Sequence, residues 1–437
     1  MFPRTLLITV LAAAVAAQGS RVNNDGQRDQ PKLWALLVAG SKGYGNYRHQ
    51  ADICHAYQVL HNHGVPDDRI VVMMYDDIAN NPENPTPGVI INNPNGMDVY
   101  RGVPKDYTGK LVNPKNFLLL LQGRTVDGGS GKVIASGRND HVFVNFVGHG
   151  GSSIISFPDG ILHARHFAMI IEEMHRAKMF SKMVIYMDAG YSGSMFQNIL
   201  PDSVNVYATT SANPYELPNA CYPDDFRKTY LGDAYSVRWM EYSDKEDLRK
   251  KTLIDQFIFV KHQVNNSDVT QYGNLNIGKL PLSAFQGAQY APPIPLPETP
   301  CHPVSTIDVP IAILRHELRR ASSPEALLPI WRKLRRELRK RFFIDKKVAQ
   351  MATIISKSDD EITKALLSMK LPLANFGCFE HAVQHFNHNC FNLSQSPYAI
   401  GVLLPVLVNI CEGEYAIDEI IKAMMSAWGD TTAADIV

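Results

Sequence analysis

The sequence predicts an α/β fold, a mostly parallel sheet with helices on both faces, followed by an all-α C-terminal region. Three observations carry this. Short apolar runs alternate with amphipathic stretches through the first half of the chain, the pattern of buried strands joined by crossover helices. A proline-rich segment, "APPIPLPETPCHPV" at 291–304, interrupts that pattern and reads as a linker. Beyond Pro310 the apolar spacing is helical to the end, most strongly over 311–356 and 398–425.

The N-terminus stands outside this fold. Arg4 precedes the apolar run Leu6 to Val15 and a string of small residues, so 1–17 reads as a signal peptide and 18–30 as a short propeptide-like segment. The run is short of the roughly 20 apolar residues of a membrane span, and no other segment approaches that length. The first strand is Leu33 to Val38, ending in Ala39-Gly40-Ser41, and a helical stretch follows over 46–63. Arg69 to Tyr75 is the second strand, and a loop rich in Asn, Pro and Gly runs over 80–103. His141 to Val147 is the third strand and ends in Gly148-His149-Gly150. A helix over 164–182 leads to the fourth strand, 183–187, which ends in Asp188-Ala189-Gly190; Val204 to Thr209 is the fifth. The expected boundaries are 31–288 for the α/β domain, 289–325 for the linker and 326–437 for the helical domain.

With 43 basic and 43 acidic side chains the chain has no net charge, which argues against a general nucleic-acid binder. A signal peptide implies the secretory route, where disulfides form. Six cysteines do not fix their own pairing. Cys378, Cys390 and Cys411 cluster near the C-terminus and are expected to include a bridge, whereas Cys54, in a helical pattern, reads as a buried free thiol. Asn265 and Asn392 begin sequons for N-glycosylation. The basic stretch "WRKLRRELRKRFF" reads as a helix whose charged face is solvated or packs on an acidic patch, in preference to a membrane-binding helix. His381, His385 and His388 have helical spacing but no accompanying carboxylate or thiol pattern, so neither a metal nor a cofactor is expected.

Chemistry in α/β proteins gathers at the C-terminal ends of the strands. His149, between two glycines, suits a general acid or base near neutral pH, and the Gly150 amide suits an oxyanion donor. A nucleophile serving that histidine belongs at the neighbouring strand tip. The residue there is Gly190, which has no side chain. Asp188 projects toward the same cleft, and Asn46, Arg48 and His49 approach it from the end of the first strand.

Five stretches carry a family resemblance: "NYRHQAD" at 46–52, "YDDIANNPENPTPG" at 75–88, "VYRGVPKDYTG" at 99–109, "NVYATTSANP" at 205–214 and "YLGD" at 230–233. Together they resemble the legumain family, the asparaginyl endopeptidases. The resemblance implies a caspase-like α/β domain, a helical C-terminal prodomain over the active site, and a secreted or endolysosomal (vacuolar) location. It also implies cysteine-type cleavage after Asn, and after Asp in acid. The family histidine matches His149, the asparagine that orients it matches Asn46, and the specificity pocket matches Arg48, His49 and Asp233. An Asn side chain both accepts and donates hydrogen bonds, so its pocket must offer a cation and a carboxylate. A family Glu of this pocket is Asp188 here.

The departures cluster in the site. The family strand tip reads Glu-Ala-Cys before Glu-Ser-Gly-Ser, and here it reads Asp188-Ala189-Gly190 before Tyr191-Ser192-Gly193-Ser194. Gly190 therefore takes the place of the nucleophilic Cys, Gly148 that of an Asp, and Pro218 that of a pocket Ser. No Asn occurs from Ile277 to Ala374, so an Asn-specific activity has no Asn there at which to release the prodomain; Asp308 and Asp345 remain. The last prodomain Cys is replaced at about Gly429, which implies a Cys378–Cys411 pair with Cys390 left over or joined to Cys301. The expectation is a chain impaired as a cysteine peptidase. Its expected partners are peptide or protein substrates or inhibitors and its own prodomain, with no nucleic acid and no membrane span. The alternative is an active asparaginyl endopeptidase or ligase of lysosomal or gut protein degradation with a non-standard nucleophile, for which the displaced hydroxyls of Ser192 and Ser194 are candidates.

Overall fold

The computed structural model describes residues 31–295, 299–429 and 431; the expected signal peptide and propeptide-like segment lie outside them. Strand β1 (Leu33–Ala39) leads into α1 (Tyr47–Asn62), β2 (Ile70–Met73), α2 (Pro114–Leu121) and β3 (His141–Val147). A small sheet of β4 (Gly150–Gly151), β5 (Ile154–Ser156) and β6 (Ile161–His163) follows, then α3 (Ala164–Arg176), β7 (Lys182–Asp188) and β8 (Val206–Thr210). The hairpin β9 (Asn219–Asp224) and β10 (Thr229–Asp233), helices α4 (Ala234–Lys245) and α5 (Leu253–Gln263), edge strand β11 (Thr270–Gly273) and α6 (Ser283–Gln286) complete the α/β part.

The main sheet runs β11-β8-β7-β3-β1-β2. Its pairs are parallel except β11 on β8. The five expected strands form its parallel body, and the reason is visible in the packing. Successive β1 residues go to opposite faces: Ala35 and Leu37 join a core with Tyr47 and Trp239, while Leu36 and Val38 join one with Phe117 and Phe167. A strand covered on both faces has no polar side, hence the unbroken apolar runs.

Two boundaries differ from expectation. β8 begins at Val206, because Asn205 takes a left-handed conformation at φ 55°. α3 ends at Arg176, because Lys178 turns left-handed at φ 56°. The β9–β10 hairpin was not foreseen, since Asn, Pro, Gly and Asp depress its strand signal.

The proline-rich segment is fastened to the α/β body. Cys301 is bonded to Cys221 of β9, and β12 (Val304–Ser305) pairs antiparallel with the same strand. Cys301 is therefore not joined to Cys390, which is free; Cys54 is free and buried, and Cys378 pairs with Cys411. Helix α7 (Val309–Arg320) follows within the stretch read as linker.

Ser323 then caps α8 (Pro324–Ile355), with Pro324 in the first turn. Helices α9 (Asp360–Ser368), α10 (Phe376–Asn389), α11 (Pro397–Glu412) and α12 (Ile417–Trp428) complete the chain. Their core gathers Met351, Phe386, Leu407 and Trp428, and Ile154 of β5 enters it, so the helices sit on the small sheet beside His149. A Cβ on Gly151 would lie 2.6 Å from Ile400 of α11, so glycine permits that contact. Among the described residues no helix is long and apolar enough to cross a membrane.

The Cys221–Cys301 bridge closes a loop of sequence separation 80. Cys301→Ser is expected to lower stability by about 2–4 kcal/mol in non-reducing denaturant titration. Cys390→Ser, which breaks no bridge, is expected to stay within about 1 kcal/mol of the parent.

Candidate active site

The site is aligned by strand register. Val147 of β3 stands opposite Asp188 of β7, so His149 and Gly190 each lie two residues beyond paired strand ends. Asn46 immediately precedes α1, whose first turns carry Arg48, His49 and Asp52 toward β10 and its last residue, Asp233.

The imidazole of His149 is oriented from α1. Its Nε2 lies 2.9 Å from Oδ1 of Asn46. That oxygen only accepts, so Nε2 carries the proton and Nδ1 is left as the basic nitrogen. The His49 ring meets it edge-on at 4.8 Å. Burial, with the nearby Arg48 charge, holds His149 down at about 3. It is therefore neutral at mildly acidic and neutral pH.

Next to it lies a buried charge cluster. Arg48 Nε donates to Asp233 Oδ1 at 2.8 Å, and the two side chains are 1% and 2% exposed. Arg48 Nη2 is buried with no partner among the described residues. His49 Nε2 is 3.4 Å from Asp233 Oδ2 but forms no hydrogen bond with it, while Nδ1 of the same ring meets Ser41 Oγ at 2.6 Å. Asp52 accepts from the Asp233 amide at 3.0 Å and from Asn92 Nδ2 at 2.7 Å. Asp188 accepts from the amide and hydroxyl of Ser236 at 3.2 and 2.7 Å.

Asp233 thus pairs with the guanidinium, while Asp52 and Asp188 crowd Asp233. Burial raises Asp52 well above its ordinary value, and the Asp233 charge adds to this. Burial also raises Asp233, against the pull of Arg48. Asp188 is pushed up to about 7, chiefly by burial and next by Asp233, with the Ser236 bonds opposing. At acidic pH the Asp188 carboxyl is neutral. The unpartnered Nη2 of Arg48 is a donor suited to a carboxamide oxygen. The adjoining cavity, about 220 Å³, is lined by Asn46, Arg48 and His149 and closed by Thr306, Ile307 and Tyr398.

At the strand tip itself there is no room for a side chain. A Cβ on Gly190 would lie 2.6 Å from the Gly150 carbonyl oxygen and 2.8 Å from Leu217. The Gly150 carbonyl oxygen is thus turned toward position 190. The serine hydroxyls are engaged elsewhere. Ser192 is buried against Ser211 and Ala212, and Ser194 Oγ donates to the Tyr191 carbonyl at 2.6 Å and accepts from the Ser153 amide at 2.7 Å. Among the described residues neither bonds to His149.

The structure therefore brings Asn46, Arg48, His49, His149, Asp188, Gly190 and Asp233 together. It adds Asp52, Ser236 and Ser41, which sequence reasoning missed. Asp52 had a readable signal, four residues after Arg48 on one helical face; Ser41 and Ser236 had none, since their roles arise from tertiary contacts. Of the sequons, Asn265 is exposed. The Asn392 side chain is partly buried and bonded to Ser394 and Asp159.

Comparison with known proteins assigns the chain. Residues 33–288 match the model of the peptidase C13 family, and 332–427 match the legumain prodomain. The chain belongs to the legumain family. It is 47% identical to legumain of Bos taurus over 95% of this chain and 97% of that one, and 47% identical to legumain of Homo sapiens over 92% and 94%. It is also 39% identical to the hemoglobinase of Schistosoma japonicum, over 90% of this chain and 92% of the relative. This legumain-family chain therefore carries its prodomain, α8 to α12, folded against the small sheet beside the site.

The raised Asp188 carboxyl has a consequence for stability. Between about 4, the value of an unfolded Asp, and about 7, the folded state keeps a proton that the unfolded state releases. Stability from this group falls as pH rises through that window. Asp188→Asn keeps an acceptor for Ser236 and removes the titration. The melting temperature of this variant relative to the parent is expected to climb as pH rises from about 4 to about 7, then level off. A difference that does not change with pH would contradict the assignment.

Proposed function

We propose that this legumain-family protein binds Asn-containing peptides, or inhibitors that mimic them, and does not cleave them by covalent catalysis. The observation that carries this is Gly190: there is no thiol, and the Gly150 carbonyl fills the space a Cβ would need. A cysteine peptidase acts by thiolate attack on the peptide carbonyl, with the histidine moving the proton to the leaving amine. Without the attacking atom, what remains is positioning by the pocket and a neutral His149 acting on water, a far slower route. The pocket itself supports binding. In this reading Arg48, which lines the cavity, donates from its unpartnered Nη2 to the carboxamide oxygen, and the Asp233 carboxylate behind it holds the guanidinium in place.

The chain's own segment lies along the neighbouring edge. Val304 and Ser305 pair with Ala220 and Asn219, and the Thr306 amide donates to the Pro218 carbonyl at 3.1 Å. A peptide adding a strand to this edge would have to displace that segment. Two Asp side chains of the Asn-free stretch are engaged as well, Asp308 by Arg341 and Asp345 by the Tyr398 hydroxyl. The proposed setting is the secretory or endolysosomal route, with Asn265 as the more accessible glycosylation site. In this reading the catalytic positions are His149, Asn46, Gly150 and the vacated Gly190, and the substrate-binding positions are Arg48, His49, Asp188 and Asp233.

The test pairs turnover with binding. A fluorogenic Ala-Ala-Asn peptide at acid pH is expected to release no more product with the parent than with His149→Ala. A fluorescein-labelled Asn peptide is expected to bind in polarisation assays, and Arg48→Gln to weaken it about tenfold or more. Gly190→Cys is expected to stay at the parent's rate, because its Cβ meets a backbone oxygen. Robust turnover abolished by His149→Ala would overturn the inactive reading; absence of peptide binding would overturn the binding one.

A further inference from the structure

We propose that the N-terminal half of α8 is a docking surface for an anionic membrane surface. Leu327, Leu328, Trp331, Leu338 and Phe342 are all exposed, Trp331 at 48% and Phe342 at 72%. At about 100° per residue these five side chains fall on one stripe. That stripe lies roughly opposite Ile344, Val348 and Met351, through which the helix is buried.

Cations accompany the stripe. Arg335 lies within it, its guanidinium 5.3 Å from the centre of the Trp331 ring, and the exposed Arg332, Arg336 and Arg339 follow one border. These four arginines form no salt bridge among the described residues, whereas Lys340 and Arg341, nearer the body, are paired with Glu337 and Asp308. The outer cations are therefore not spent on holding the prodomain in place. This sets aside the packed version of the sequence expectation. A solvated face explains the charges, but it does not explain a stripe of five large, exposed apolar side chains.

The choice of occupant follows from charge and shape. A second copy pairing through the same stripe would set arginine against arginine. An acidic peptide held by helix-in-groove contacts needs a concavity; Leu338 and Phe342 line one with Ile311 and Arg315 of α7, but Leu327, Leu328 and Trp331 lie outside it, so a peptide seated there would leave half the stripe uncovered. The stripe from 327 to 342 is about 24 Å long, which suits a flat surface. Apolar side chains would enter the headgroup layer, with the arginines reaching phosphate and carboxylate groups on long aliphatic stems. The chain as a whole has no net charge, so attraction to an anionic surface depends on this local cluster. The proposal is independent of catalysis and of peptide binding.

The experiment uses the full chain with vesicles of phosphatidylcholine alone or in equimolar mixture with phosphatidylserine. Flotation with the anionic vesicles only is expected, weakening as salt is raised. Tryptophan emission should shift to the blue, and Trp331→Ala should abolish the shift, since Trp239 and Trp428 are buried and Trp34 is partly buried against the sheet core. The double variant Trp331→Ala with Phe342→Ala is expected to lose tenfold or more in partitioning. Each of Arg332→Gln, Arg336→Gln and Arg339→Gln is expected to cost about fivefold. All five positions are exposed, so unchanged thermal unfolding checks that the variants remain folded. Several results would overturn the proposal: no flotation with anionic vesicles, equal flotation with neutral ones, or variants that float like the parent. So would tight binding to polyglutamate without vesicle binding, which would assign an acidic polypeptide, or a self-association that alone accounts for the emission shift.

Discussion

The parallel register of β3 against β7 is the constraint on which the site depends. Because Val147 faces Asp188, the chain leaves both strands side by side and His149 arrives beside Gly190. A slip of one residue would turn the side chains of a whole strand to the other face, and both faces of this sheet are packed. The core therefore fixes the geometry of the strand tips whether or not a nucleophile stands there. With no Cβ at positions 150 and 190, the two tips approach until each glycine blocks a side chain on the other.

The pocket beside the tips has kept its polar contacts. A buried Arg48–Asp233 pair is costly to desolvate and contributes little net stability against an apolar replacement, yet losing one partner strands the other charge. Asp52 and Asp188 crowd the Asp233 carboxylate, and burial leaves Asp188 protonated through the acidic range. Proton uptake at Asp188 offsets like-charge repulsion in acid, while the buried His149 and His49 resist protonation. Among the described residues Nη2 of Arg48 and Nε2 of His49 are buried without a partner, and internal stability explains neither.

Much of this was legible in the sequence. The five parallel strands were readable because burial on both faces leaves unbroken apolar runs, and His149, Asn46, Arg48 and Asp233 because they sit at strand or helix ends in distinctive motifs. The hairpin β9–β10 was hidden because Asn, Pro, Gly and Asp depress its strand signal, and its third strand, Val304 and Ser305, because it lies some 80 residues away. The Cys221–Cys301 bridge was hidden for the same reason, as spacing says nothing of a chain doubling back along an edge strand. Ser236 and Ser41 act only through contacts made after folding. The collapse at Gly190 is of the same kind: the sequence shows that a thiol is missing, and only coordinates show that a carbonyl oxygen has taken the space.

Active-site trapping addresses the central claim most directly. The full chain would be incubated at acid pH with an Asn peptide bearing an electrophilic warhead, and its intact mass measured. The expected result is no covalent adduct, because no nucleophile stands beside His149. An adduct mapped to Ser192, Ser194 or any other residue, and lost in His149→Ala, would contradict the account.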